Sequence, residues 1–457
     1  MISRKIEQEL QRFHDTNDKK ALLITGARQV GKTYSIRKFG KQYESFIEIN
    51  FYENKAAQTL FENAKNSKEL LLRISAVANA PLIPGKTLIF LDEVQECKDI
   101  VTAIKFLVEE GSYRYILSGS LLGVDLKDIR SIPVGYMDIL EMYPLDFEEF
   151  ARANKVSPSV LDALRKSFLT NTPVDTIIHE KMMELFRLYL IVGGMPAAAA
   201  RYLETNNLQE VIREQQSILA MYKRDIARYD PEEKLYLEDI FNLIPSELNS
   251  KNKRFILKNL NENFKFSRYS NSFIWLRDAG VALPAFCVSE PVIPLLLSKS
   301  ANLFKLFLSD IGLLASMYMN DIQIKILNRE KSINFGSIYE NAAAQELKAH
   351  GFELYYFNSK KQGELDFLIE QDGAILPIEI KSGKDYTKHP ALSNVLANKD
   401  YAIPKAYVFH NGNISVSGKI CYYPIYMLMF VQKKTAKTAM IYKLDLSALQ
   451  DNSSKMQ

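Results

Sequence analysis

A chain of 457 residues is longer than one hydrophobic core usually organises, and typical domain sizes put about three domains in it. With 47% hydrophobic and 25% charged residues it reads as globular rather than disordered, and a net charge of +4 is too small to declare a polyanionic partner. The charged start Met1–Glu7 lacks the apolar core of a signal peptide, and the longest apolar run, Ile420–Val431, is broken by Pro424 and falls short of the roughly 20 residues a membrane span needs. Cys97, Cys287 and Cys421 lie too far apart in sequence for a disulfide framework or a Cys-based zinc site, so a cytoplasmic protein without membrane attachment is expected.

The first informative element is the apolar run Ala21-Leu22-Leu23-Ile24-Thr25, a predicted strand, followed by Gly26-Ala27-Arg28-Gln29-Val30-Gly31-Lys32-Thr33 and a predicted helix to Tyr43. Strand, G-x-x-x-x-G-K-T loop and helix together form the context of a phosphate-binding P-loop. The glycines let backbone N–H groups close around the β- and γ-phosphates, and the helix directs its positive dipole end at them. Lys32 would reach the same phosphates, and the Thr33 hydroxyl would ligate Mg²⁺. A glycine-rich turn without chemistry is the competing reading. The agreement of loop, Lys-Thr pair and flanking elements favours ATP with Mg²⁺.

Thr87-Leu88-Ile89-Phe90-Leu91-Asp92-Glu93 is a second apolar strand, ending in two acids where a Walker B element belongs. Asp92 would hold Mg²⁺ through water and Glu93 would orient or deprotonate the attacking water. A simple helix N-terminus is the alternative for this pair. Tyr115-Ile116-Leu117-Ser118-Gly119-Ser120 is a further buried strand ending in hydroxyls. Strands alternating with helices between residues 20 and 145 predict a doubly wound parallel sheet, with its ligand at the carboxyl edge.

The P-loop, Asp92-Glu93, Leu117-Ser118-Gly119-Ser120, Met142–Phe150 (MYPLDFEEF) and Val192-Gly193-Gly194-Met195-Pro196 resemble a widespread prokaryotic family over almost the whole chain. Its members join an AAA-type ATPase to a C-terminal restriction-endonuclease-like domain of unassigned function. The resemblance implies that Ser118 senses the γ-phosphate and that Gly194 and Pro196, in a helical lid, lie near the nucleotide. A bare helix break at Gly-Gly and Pro fits the same residues. It also implies an arginine finger in cis or from a neighbouring copy of the chain, with Arg28, Arg114 and Arg130 all open as candidates. The expected organisation is an ATPase core over 1–150, a lid over 151–229, a winged-helix-like part over 230–332 and a nuclease-like domain over 333–457.

In the middle part a helix is expected from the N-cap Ser267 through Ala279, closed by Gly280. Tyr269, Phe273 and Leu276 would form its core stripe, and Val281–Pro284 with Leu303–Leu308 a small wing. Lys251, Lys253, Arg254, Lys258, Lys265, Arg268 and Arg277 stand against the single acid Glu262 in this stretch. They offer phosphate contacts to DNA, or equally a solvated basic face that meets only protein.

The C-terminal signal is the segment Glu364–Lys381. Asp372-Gly373 is a preferred two-residue hairpin turn, which sets Ile369 opposite Leu376, Phe367 opposite Ile378 and Leu365 opposite Ile380 on one apolar face. The other face then opposes Asp366 to Glu379 and Glu364 to Lys381. Facing carboxylates repel unless a cation joins them, and a divalent metal is the expected one. Asp366, Glu379 and Lys381 also carry the PD-(D/E)xK nuclease spacing, with Glu340 as the additional helix carboxylate. An edge hairpin with a charged solvent face, or a nuclease fold that binds without cutting, are the alternatives.

Overall fold

The computed structural model describes residues 2–433 apart from 17, 65, 98, 120–134, 230–233, 251–253, 256–265, 319–321, 329 and 331–334, together with 443 and 444. Ser120, Arg130, Lys251, Lys253, Lys258 and Lys265 lie outside the described residues, as do the side chains of Arg268 and Tyr269. No helix among the described residues is long and apolar enough to cross a membrane.

Strands β1 (Ala21–Thr25), β2 (Ser45–Asn50), β3 (Thr87–Asp92), β4 (Arg114–Ser118) and β5 (Met137–Glu141) pair in the order β2-β3-β4-β1-β5. Every pairing is parallel. Apolar side chains alternate between the two faces: Leu22, Ile24, Leu88, Phe90 and Ile116 enter one core, Leu23, Ile89, Leu91, Tyr115 and Leu117 another. A parallel sheet covered on both faces is what near-continuous apolar runs dictate. β1 lies between β4 and β5, so the loop that follows it opens at the carboxyl edge of the sheet's middle.

The chain then turns helical. Asp146 starts the helix Phe147–Ala153 with a capping box, accepting the Glu149 N–H at 2.8 Å while the Glu149 carboxylate accepts its own N–H at 3.2 Å. The helices Thr176–Val192 and Pro196–Thr205 meet at the Gly193-Gly194 break, and Leu208–Tyr229 lies against the second of them.

A second, mixed sheet holds β6 (Ala282–Val288), β7 (Lys299–Leu308), β8 (Tyr355–Ser359), β9 (Gly363–Gln371), β10 (Ala374–Ile380), β11 (Ala406–His410), β12 (Ser415–Ser417) and β13 (Ile420–Pro424). Their order is β12-β13-β11-β10-β9-β8-β6-β7. The segments expected to form a wing do pair with each other, Leu283 opposite Phe307, but β6 also pairs in parallel with β8. This hairpin is therefore the edge of the eight-stranded sheet, which takes strands from both sides of the boundary expected at residues 332 and 333. The helix before it spans Phe266–Asp278, buries Phe273 and Leu276, and ends at Gly280 with φ +69°.

Candidate nucleotide site and carboxylate cluster

The loop between β1 and the helix Lys32–Gly40 is fixed by contacts from distant parts of the chain. Gly26 has φ +135°, and a Cβ there would lie 2.1 Å from the Met142 carbonyl oxygen, so only glycine fits. A Cβ on Gly280 would lie 2.8 Å from the Ala27 nitrogen. Arg28 Nη1 donates to Asp225 Oδ1 at 2.6 Å, and the Tyr222 hydroxyl donates to the Arg28 carbonyl at 3.1 Å. The Gln29 amide faces Met221 Sδ at 3.7 Å, and Arg4 Nη1 donates to the Val30 carbonyl at 2.8 Å.

Lys32 is buried and its Nζ donates to the carbonyls of Gly26 at 2.8 Å and Ala27 at 2.9 Å. Desolvation pushes its pKa down to about 8, against the pull of Glu93 and Asp92. Thr33 Oγ1 donates to Asp92 Oδ2 at 3.1 Å. Asp92 also accepts from the Asn50 amide and from the Glu93 N–H, each at 3.1 Å, and from the Ser118 hydroxyl. Burial lifts its carboxyl above the ordinary value, with the hydroxyls of Ser118 and Thr33 opposing that shift. Glu93 takes a left-handed backbone, φ 58° and ψ 49°, uncommon outside glycine and frequent where a side chain must be aimed. Its carboxylate accepts from Gln95 Nε2.

Lys32, Thr33 and Glu93 border one cavity of about 990 Å³, a volume suited to a nucleotide-sized ligand, whose walls also include Arg28, Tyr52 and Pro196. Thr33 and Asp92 offer a hydroxyl and a carboxylate side by side, a donor pair that suits Mg²⁺ once phosphate oxygens and water complete its shell. Pro196 comes within 3.6 Å of where a Gly31 Cβ would be. Gly194 lies behind it: its N–H donates to Asp310 Oδ2 at 2.6 Å and its carbonyl accepts from Leu145 N at 2.7 Å. Of the candidate arginines, Arg28 is held by Asp225. Arg114 begins β4, at the opposite end of that strand from Ser118, and donates to the carbonyls of Thr16, Asp18 and Phe13.

At the second sheet, Asp372 and Gly373 both have positive φ, 54° and 73°, giving the expected hairpin turn with Ile369 opposite Leu376 and Phe367 opposite Ile378. The register departs from expectation beyond Phe367. On the other side of β9, Tyr355 opposes Leu368 but Phe357 opposes Leu365, so β9 carries an extra residue there. Leu365 consequently packs with Leu368 and Ile375 in a different cluster from Phe367 and Ile369. The bulge re-aims Asp366, whose Oδ2 accepts the Ile380 N–H at 2.8 Å.

Asp366, Glu379, Lys381 and Glu340 nevertheless converge. Glu379 is buried and shares a hydrogen bond with Asp366; burial, with the Asp366 charge behind it, raises its carboxyl well above the usual range. Lys381 Nζ stands 3.0 Å from Glu379 Oε2. Glu340 comes from the helix Phe335–Ala349 and meets Lys305 Nζ at 3.4 Å. Glu364 makes its ion pairs with Lys305 at 2.9 Å and Arg254 at 4.0 Å rather than with Lys381. No motif or spacing points to Lys305. Its signal was a lone lysine inside the apolar run Leu303–Leu308. Among the described residues no three or more His, Cys, Asp or Glu are grouped to hold a metal ion.

The helix that carries Glu340 also touches the ATPase half. Gln345 accepts the Ile311 N–H at 2.8 Å and donates to the Tyr189 hydroxyl at 2.9 Å, which donates to the Leu145 carbonyl at 2.7 Å. Glu346 accepts the Phe147 N–H at 2.5 Å, and burial pushes its pKa up to about 7, with Asp146 adding and His350 opposing.

Residues 18–151 match the family model described as an AAA domain. Residues 183–324 and 335–428 match two models described as domains of unknown function, DUF8612 and DUF4143. No curated protein matches the sequence. Similar solved structures include a Walker-type ATPase of Pyrococcus abyssi, 14% identical, covering 70% of this chain and 96% of that one with a TM-score of 0.40. The Orc1 protein of Aeropyrum pernix in complex with DNA is 12% identical, covering 72% of this chain and 93% of its own, with a TM-score of 0.25. Cdc6p from Pyrobaculum aerophilum is 14% identical over 71% and 94%, with a TM-score of 0.24. At these identities and scores the likenesses say nothing of function. The match over residues 18–151, with Lys32, Thr33 and Glu93 bordering one cavity, makes this N-terminal part of the chain an AAA-type P-loop ATPase domain.

Proposed function

We propose that the chain binds ATP in the cavity beside Lys32 and hydrolyses it to ADP and phosphate, passing its nucleotide state to the C-terminal domain. Bound Mg²⁺ would neutralise phosphate charge, held through Thr33 and Asp92. Lys32 turns from the Gly26 and Ala27 carbonyls to the β- and γ-phosphates, Glu93 orients the attacking water, and Ser118 reports the γ-phosphate through Asp92. With Arg28 and Arg114 both held by other groups, Arg130 or an arginine of a second copy of the chain is the proposed source of an arginine finger.

The single observation that carries the coupling is Gly194, two residues before Pro196 at the cavity, bonded both to Leu145 and to Asp310. Gln345 and Glu346 brace the same segment from the helix that holds Glu340. The C-terminal domain is read as nuclease-like, and the basic stretch 251–277 makes DNA its first partner to test. Arg277 is exposed there and pairs with Asp278 at 2.7 Å.

Hydrogen exchange of the full chain, with and without a slowly hydrolysed ATP analogue, tests the coupling. Altered protection in the helix Phe335–Ala349 is expected; changes confined to the ATPase half would refute it. ATP turnover with and without duplex DNA separates two versions. Stimulation supports a machine acting on DNA, and slow turnover indifferent to DNA supports a switch in which hydrolysis only resets partner binding.

A further inference from the structure

The carboxylate cluster of the second sheet already contains a cation. Lys305 projects from β7, is fully buried, and sets Nζ 2.9 Å from Glu364 Oε1 and 3.4 Å from Glu340 Oε2, with the charge of Asp366 acting on it as well. The ring centre of Tyr356 is 5.1 Å away, so the ammonium is enclosed by acids and an aromatic face rather than by water. A buried ammonium persists only where such partners surround it. Glu340 and Asp366 are two of the three carboxylates expected to hold a divalent ion, and an ion joining them would face the fixed charge of Nζ at close range.

Charge balance points the same way. Glu340, Glu364 and Asp366 are matched by Lys305, Arg254 and Lys381, while Glu379 shares its hydrogen bond with Asp366. Opposed Asp366 and Glu379 without a counter-ion are the reason to expect a metal; the counter-ions present are Lys381 beside Glu379 and, from a strand upstream of the hairpin, Lys305 acting on Asp366. We propose that Lys305 is the resident cation of this cluster, standing where a divalent metal would bind between Glu340, Glu364 and Asp366. The C-terminal domain is then closed to metal-dependent phosphodiester cleavage. This inference is independent of the nucleotide reading.

The test is Mn²⁺ titration of the full chain without nucleotide, followed by electron paramagnetic resonance of the free ion. Wild type and Asp366→Asn should bind Mn²⁺ indistinguishably, because neither holds it at this cluster. Lys305→Met, similar in length and uncharged, should gain one Mn²⁺ site at least tenfold tighter than anything in wild type, and adding Asp366→Asn should remove it. Two results would overturn the proposal: a wild-type Mn²⁺ site that Asp366→Asn abolishes, or a folded Lys305→Met protein that gains none. Should Lys305→Met fail to fold, the comparison of wild type with Asp366→Asn decides alone.

Discussion

The Gly194 N–H donates to Asp310 Oδ2 across 2.6 Å, joining the residue pair behind the nucleotide cavity to the N-cap of the helix Ile311–Met317. Asp310 is buried, also accepts the Leu313 N–H at 2.9 Å, and burial pushes its pKa up to about 6. There is no slack at this joint. A Cβ on Gly194 would lie 2.1 Å from the Leu145 carbonyl oxygen. Gly194→Ala should therefore lower stability by about 1–3 kcal/mol, as overpacking does, and reduce ATP turnover while P-loop residues stay intact. Chemical denaturation and a turnover assay check this; an unchanged protein would show that the joint is not strained.

The pKa of Lys32 gives a pH dependence with a definite sign. Its folded value of about 8 means the ammonium loses its proton above that pH, whereas phosphates bound beside it would hold the proton on. Binding should then take up a proton above pH 8, and ATP affinity should fall by up to about tenfold per pH unit there. Equilibrium binding of a fluorescent ATP analogue, followed between about pH 7 and 10, checks this. Affinity that stays flat would remove Lys32 from phosphate recognition.

Asn50 is the member of the site that motif reading passes over. It is the register partner of Asp92 on the neighbouring strand and donates to Asp92 Oδ2 at 3.1 Å. Asn50→Ala should leave ATP bound but slow turnover roughly tenfold, the worth of one hydrogen bond to a charged group. Normal turnover would mark Asn50 as structural only.

Glu346 predicts how stability responds to pH. Its folded pKa, about 7, is above the ordinary 4.5, so the folded chain holds this proton more tightly than the unfolded one. Its stabilising share is full below about pH 4.5 and is lost as pH rises through 7. Glu346→Gln keeps an acceptor for the Phe147 N–H and should flatten the decline of Tm across that window. An identical Tm profile in variant and wild type would contradict the assignment.

What could be read from sequence was local and what could not was long-range. The P-loop and Asp92-Glu93 are contiguous, and their chemistry survives translation into geometry because each sits at a strand's carboxyl end. The Asp372-Gly373 turn fixed the hairpin register near it, since a two-residue turn leaves one pairing. The bulge in β9 escaped notice because it is set by β8, which hairpin periodicity does not contain. Lys305, Asn50 and Asp225 reach their sites from strands and helices far along the chain, and no spacing rule connects them. The β6–β7 hairpin looks like a separate wing for the same reason, since its parallel partner β8 is distant in sequence.

ATP turnover by the pure 457-residue chain, compared with Lys32→Ala and Glu93→Gln, tests the central claim most directly. The expected result is measurable hydrolysis in wild type, loss of nucleotide binding in Lys32→Ala, and retained binding with turnover down by about 10²–10⁴ in Glu93→Gln. Undiminished turnover in both variants would contradict it.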